Sequence, residues 1–242
     1  MKLTRAAAIT ITLAAAAVLT ACGGQPGRPA AQPSPSVSTS AAPSQAVTPG
    51  QAVTPSQTAP PAQVLSARTA YPWHWPNDVA TPGRVTHAVA VPPVPELVRI
   101  GVGSHPGSPG QPPFNRVSFT FTTAFPSYRF EFGSQLISDP SGKAIPLGGQ
   151  GVLKIVFTQA QAHTADGTRS SIISQPAPVI GYQRMAAYAQ AGDFEGVLTY
   201  GIGITAPVAH SNPQFAVRAY ELETLTASGQ HRYTVAIDVD AR

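Results

Sequence analysis

Two carboxylates, Asp193 and Glu195, stand two residues apart in Gly192-Asp193-Phe194-Glu195-Gly196. On a strand they share a face about 6 to 7 Å apart, which suits an acid–base pair or a cation site. In a tight turn they diverge; Asp193 then caps the turn backbone and Phe194 plugs the core. His163, in His163-Thr164-Ala165-Asp166, is a candidate base. With Asp193 and Glu195 it forms the set a hydrolase would need. The remaining motifs exclude more than they assign. There is no G-x-S-x-G, H-E-x-x-H, phosphate-binding loop or Cys-x-x-Cys. His105, His163, His210 and His231 are scattered and form no i, i+4 pair, so no metal site and no cofactor is expected. Gly201-Ile202-Gly203 lacks the third glycine of a nucleotide fingerprint and marks close backbone contact instead. No basic stripe supports nucleic-acid binding. The Gly192–Gly196 segment, with Asp193, Phe194 and Glu195, and Arg99, Arg116 and Arg129 are the candidates for a binding surface. Arg129 shares a strand face with Glu131, and a mutual ion pair is its plain structural role.

Strict alternation supplies the strands that must hold these residues. Val117, Phe119 and Phe121 alternate with polar residues, as do Tyr128, Phe130 and Phe132. Residues 123–127 join the two runs as a short loop. Leu153, Ile155 and Phe157 mark a third run; Tyr233, Val235, Ile237 and Val239 mark the last. Weaker strands are expected over 97–102, 184–190, 196–204 and 215–222. Residues 185–191 also have the length of a short helix, but Gly192 and the flanking patterns favour strand. Asp139-Pro140-Ser141-Gly142, Asp166-Gly167 and Ser228-Gly229 are turn signals. About eight short strands predict an all-β domain, an antiparallel β-sandwich or flattened barrel.

The chain of 242 residues divides into three pieces. Residues 1–21 read as an export signal: Lys2 and Arg5 precede an uncharged, Ala-rich run too short to span a membrane well. The run ends in Leu19-Thr20-Ala21-Cys22-Gly23, which resembles a bacterial lipobox with Cys22 as the lipidated residue. Two or more acyl chains would hold the protein stably on the outer face of the cell membrane. Residues 22–95 hold 15 of the 26 prolines and read as a disordered tether, about 50 Å long if flexible. An aromatic island at 71–76 interrupts it, Tyr71-Pro72-Trp73-His74-Trp75-Pro76. This strip either docks on a glycan, membrane or partner, or folds back over an apolar groove of the domain. Residues 96–242 hold 15 of the 18 aromatics and form the domain. The formal charge of +4 lies entirely before it, because 96–242 carries 10 basic and 10 acidic residues.

Within 96–242, Arg99-Ile100-Gly101, His105-Pro106-Gly107, Asn115-Arg116-Val117-Ser118-Phe119 and Pro126-Ser127-Tyr128-Arg129-Phe130 form a recognisable series. Ala191-Gly192-Asp193-Phe194-Glu195-Gly196 and Tyr200-Gly201-Ile202-Gly203 continue it. Together they resemble the AMIN-like domain of actinobacterial secreted proteins and lipoproteins. Residues 108–113 resemble an insertion, and Asn115 replaces an expected acid. The resemblance implies a β-sandwich-like, non-catalytic module that engages peptidoglycan or an envelope partner. Excess arginine over lysine, 12 against 3, fits a GC-rich source. Two other functions stay open: an envelope hydrolase built on Asp193, Glu195 and His163, and an adaptor that adds a partner strand to an exposed sheet edge.

Overall fold

The computed structural model describes residues 62–208 and 215–242. Cys22, the signal segment, most of the proposed tether and His210 lie outside the described residues. Twelve strands follow in order: β1 (Gln63–His74), β2 (Arg84–Val85), β3 (Leu97–His105), β4 (Phe114–Phe121), β5 (Ser127–Gly133) and β6 (Leu136–Ile137). Then come β7 (Ala144–Ile145), β8 (Gly151–Thr158), β9 (Met185–Phe194), β10 (Val197–Ile204), β11 (Val217–Leu225) and β12 (His231–Asp240). The first sheet has the order β1-β11-β12-β4-β3 and the second β2-β5-β8-β10-β9; β6 and β7 pair as a small hairpin. All strand pairs are antiparallel, and the sheets do not close into a barrel. The all-β expectation holds, as a sandwich.

Alternation explains the inner faces. Val117, Phe119 and Phe121 of β4 are buried while their neighbours stay half-exposed, the period-2 signature of a sheet with one wet side. From the opposite sheet, Phe157 meets Phe119 edge-on at 5.0 Å, and Tyr200 lies 5.1 Å from Phe119. β8 and β10 break the alternation because both their faces are covered. A second, smaller cluster of Leu136, Val152 and Ala191 forms where the β6–β7 hairpin lies on the outer face of the second sheet. The two glycines of β10 allow this close approach. A Cβ on Gly201 would meet the Leu136 side chain at 2.6 Å, and one on Gly203 would overlap the Gly148 carbonyl oxygen. Residues 185–191 are strand, not helix.

One boundary needs correction. The expected tether to residue 95 gives way to β1 at residue 63. β1 is a full strand paired with β11, from Gln63 opposite Leu225 to His74 opposite Val217. Its sequence, QVLSARTAYPWH, is poor in large apolar residues, so flanking prolines dominated the composition. Pro72 is tolerated because β1 is an edge strand. The aromatic island folds onto the domain. Tyr71 is 6% exposed and meets Phe130 edge-on at 5.1 Å, and Trp75 stacks on Phe132. Behind them, Glu221 of β11 is 1% exposed yet faces inward. It accepts from Arg68 Nε at 2.8 Å and Tyr128 Oη at 3.0 Å, and His87 Nε2 lies at 2.8 Å. A buried carboxylate survives only with such partners. Here they come from β1, from the segment after β2, and from β5.

Edges that would accept a partner strand are managed. β1 carries Arg68 and Pro72. The 178–182 segment bonds to β9 through Tyr188 N–H to Pro178 and Tyr182 N–H to Met185. The first half of β3 is covered by 173–174, with Ile100 N–H donating to Ser174.

Candidate functional site

The segment Gly192–Gly196 is the tip of the β9–β10 hairpin. Glu195 and Gly196 are the two loop residues, with φ of 50° and 73°. Two consecutive positive φ values define the type I′ turn that matches strand twist, and glycine suits the second position. Asp193 lies on β9, next to its last residue, whereas Glu195 sits in the loop, so the two do not form a strand-face pair. The expectation that Phe194 plugs the core also fails: it pairs with outward-facing Val197, next to inward-facing Leu198, and is 67% exposed.

Asp193 reaches instead toward the segment after β8. Its Oδ2 accepts the Ala162 N–H at 3.1 Å and lies 2.8 Å from His163 Nδ1. The structure therefore joins two of the three hydrolase candidates, residues 30 apart in sequence. Oδ1 of Asp193 is buried and without a partner among the described residues. The Tyr200 hydroxyl is pushed above the usual phenol range, first by burial and then by the negative charge of Asp193. A histidine oriented by a carboxylate is two-thirds of a nucleophilic triad. No hydrogen bond among the described residues gives the imidazole a hydroxyl or thiol to activate. Among the described residues no group of three His, Cys, Asp or Glu side chains is placed to hold a metal.

The arginines divide by role. Arg116 faces outward on the first sheet and is spent there. It binds Asp238 through two bonds, Nε to Oδ1 at 2.6 Å and Nη2 to Oδ2 at 2.9 Å. Arg218 binds the same carboxylate from the other side, with Nη2 at 2.6 Å. The Trp73 ring covers Arg218, whose guanidinium carbon is 4.7 Å from the ring centroid. Asp238 is wholly buried under the two guanidinium groups, and its hydrogen bond to Arg116, followed by its charge, raises the already high Arg116 pKa. This network fastens the aromatic island and is structural. Asn115 is likewise structural: it donates to Ser104 and accepts the Arg184 N–H at 2.7 Å. Arg99 is exposed on β3, on the far sheet from the hairpin tip.

Arg129 remains. It is exposed on the outer face of β5, directly opposite Arg84 of β2. Its expected ion pair with Glu131 is not among those the described residues form. Arg84 and Arg129 line two clefts at once. One, of about 390 Å³, is completed by residues including Asp78, Val79 and Glu131. The other, of about 440 Å³, runs past Ser127, Val156 and Thr158 to Val197. Val197 also lines a third cleft, of about 280 Å³, with Asp139, Pro140, Asp193, Phe194 and Glu195. Shared walls make the three clefts one open groove across the outer face of the second sheet. Asp193, Phe194, Glu195 and Arg129 lie along it. Arg84 was missed as a candidate because it lay within the supposed tether.

The sequence profile of the AMIN-like domain matches residues 95–240. The chain belongs to the AMIN-like domain family. Neither a curated protein nor a solved structure matches it. The AMIN-like match begins after β1 and β2, so it leaves out one edge strand of each sheet. Part of the groove wall, Asp78 to Arg84, therefore lies outside the matched segment.

Proposed function

We propose that this AMIN-like domain is a non-enzymatic module that binds a cell-wall polymer, peptidoglycan, along the outer face of its second sheet. The observation that carries the reading is the continuous, open groove ending beside the exposed Phe194 ring. Small-molecule enzymes enclose most of their ligand, whereas a linear polymer needs a surface open at both ends. The association of AMIN-like domains with peptidoglycan-binding modules supports the same class of ligand. In this reading Cys22 carries the lipid, the segment after it crosses the space above the membrane, and the domain reaches the wall on the outer face. An envelope protein is the alternative partner for the same groove.

The chain from Gly23 to Arg242, incubated with purified sacculi at low salt, is expected to sediment with them while albumin stays in solution. Absence of retention removes the wall reading. Processing in globomycin-treated cells tests the anchor; cleavage that proceeds unchanged speaks against lipid at Cys22. The His163–Asp193 contact favours a second reading, an envelope hydrolase, and the same incubation tests it. Soluble glycan or peptide fragments released by the wild-type chain but not by His163→Asn would establish hydrolysis. No release removes it.

A further inference from the structure

We infer that Arg84 and Arg129 form a two-pronged subsite for an oxyanion carried by the wall polymer, a carboxylate or a phosphodiester. This rests on the groove reading above and names the chemistry recognised midway along it. Arg84 and Arg129 are direct register partners across β2 and β5, so both side chains leave the same face of the sheet at adjacent points. Like charges directly opposed on a sheet oppose folding. Elsewhere in this domain, close arginines are reconciled by an acid between them, as Asp238 stands between Arg116 and Arg218. Nothing equivalent stands between Arg84 and Arg129, which make no ion pair or hydrogen bond among the described residues.

The acids nearby do not fill that place. Asp78, across the first cleft, is occupied by His74 Nε2 at 2.8 Å and by the Ala80 N–H at 2.9 Å. Glu131 lies two residues along β5, opposite Lys154 in register. Lys154 is itself turned to Asp139, at 3.3 Å. The remaining walls of the two clefts beside the arginines are mainly backbone, Pro, Val, Ser and Thr. Two planar forks at the junction of two clefts, with no protein acid to hold, match the geometry of a forked oxyanion. The opposed charges are relieved when the anion binds. One arginine pair on this face thus stands without the acid that bridges Arg116 and Arg218 on the other sheet.

The test compares the wild-type chain with Arg84→Gln, Arg129→Gln and the double variant. Retention on sacculi is measured over a salt series, with circular dichroism melting as the folding control. Each single variant is expected to lose about tenfold in affinity, the worth of one charge-assisted fork. The variants should melt no lower than wild type, because they remove a repulsion. Equal retention by the wild type and the double variant overturns the subsite while leaving the wall reading intact. If the wild type itself is not retained, the wall reading falls, and the subsite is judged alone. Arg84 and Arg129 Nε–H resonances that move with millimolar inorganic phosphate uphold it; resonances that stay fixed overturn it. Sacculi stripped of phosphodiester-linked polymers by hydrofluoric acid separate the two sources. Binding that survives stripping assigns the anion to peptidoglycan carboxylates, and binding that disappears assigns it to the phosphodiester.

Discussion

Tyr71→Ala tests whether the domain begins near residue 62 rather than residue 95. Tyr71 lies outside the segment matched by the family profile, yet it is 6% exposed. Its ring meets Phe130 edge-on at 5.1 Å and 88°, and its hydroxyl donates to the Thr81 carbonyl at 2.9 Å. Truncating a buried aromatic ring to alanine costs about 3 to 5 kcal/mol, from lost burial and the cavity left behind. Removing the hydroxyl alone, in Tyr71→Phe, costs about 0.5 to 1.5 kcal/mol, so most of the loss belongs to the ring. For a domain of this size each kcal/mol is about 2 to 4 °C, which gives a drop of about 6 to 20 °C for Tyr71→Ala. The assay is urea unfolding of the chain from Gly23 to Arg242, followed by circular dichroism, with thermal melts in parallel. Were Tyr71 part of a tether, the change would stay within about 0.5 kcal/mol, as for surface substitutions. A value that small would refute both the placement of β1 in the core and the corrected boundary.

Three further outcomes follow from the same geometry. Burial pushes the Tyr71 phenol from 10.0 to about 12, with Asp78 adding to the shift. Because the folded-state value is raised, its contribution to stability is complete below pH 10.0 and is lost as pH rises through about 12. Tyr128 and Tyr200 shift the same way. The 295 nm titration of the wild type minus that of Tyr71→Phe isolates Tyr71, and its tyrosinate signal should rise well above pH 10.0; a difference signal already complete at pH 10.0 in the folded protein would contradict this. Gly203→Ala places a methyl group against the Gly148 carbonyl and should cost about 1 to 3 kcal/mol in urea unfolding; an unchanged midpoint would mean that the cover over the second sheet is not seated there. Phe194→Ala should change stability by no more than about 0.5 kcal/mol while weakening retention on sacculi; a loss of several kcal/mol would put the ring back in the core.

The principal strands were legible most sharply where an inward apolar face recurs on a clean period of two, as in Val117, Phe119 and Phe121; β8 and β10, covered on both faces, are less regular. β1 was not, because its stability comes from partners far away in sequence. Tyr71 depends on Phe130, and Arg68 on Glu221. Neither partnership leaves a local pattern, and the surrounding prolines and small residues spoke for a tether. The candidate site was legible in part. Gly192–Gly196 announced a special turn, and its placement on the groove was recoverable only from the fold. Phe194 reads as inward because aromatic residues usually are; its register opposite Val197 puts it on the outer face instead. The 30-residue reach from His163 to Asp193 and the Arg84–Arg129 register are products of topology alone.

The placement of the groove bears on how recognition is distributed between the shared domain and its own extension. Residues 95–240 supply most of both sheets, the hairpin tip and Arg129. The segment before them supplies β1, β2 and the opposite groove wall from Pro76 to Arg84. That segment is held by buried chemistry, through Tyr71 and the partners of Glu221, so its side of the groove is as fixed as the sandwich itself. The side chains that line the groove therefore come from two sources. One lies inside the segment matched by the AMIN-like domain, and the other lies in the residues that lead into it. On this architecture, changing the exposed lead-in residues that line the groove changes its charge, while the buried anchors of the lead-in keep the sandwich. Replacing Arg84 within the lead-in, with Arg68, Tyr71 and His87 kept, should then alter which anion is retained, while the folded sandwich survives.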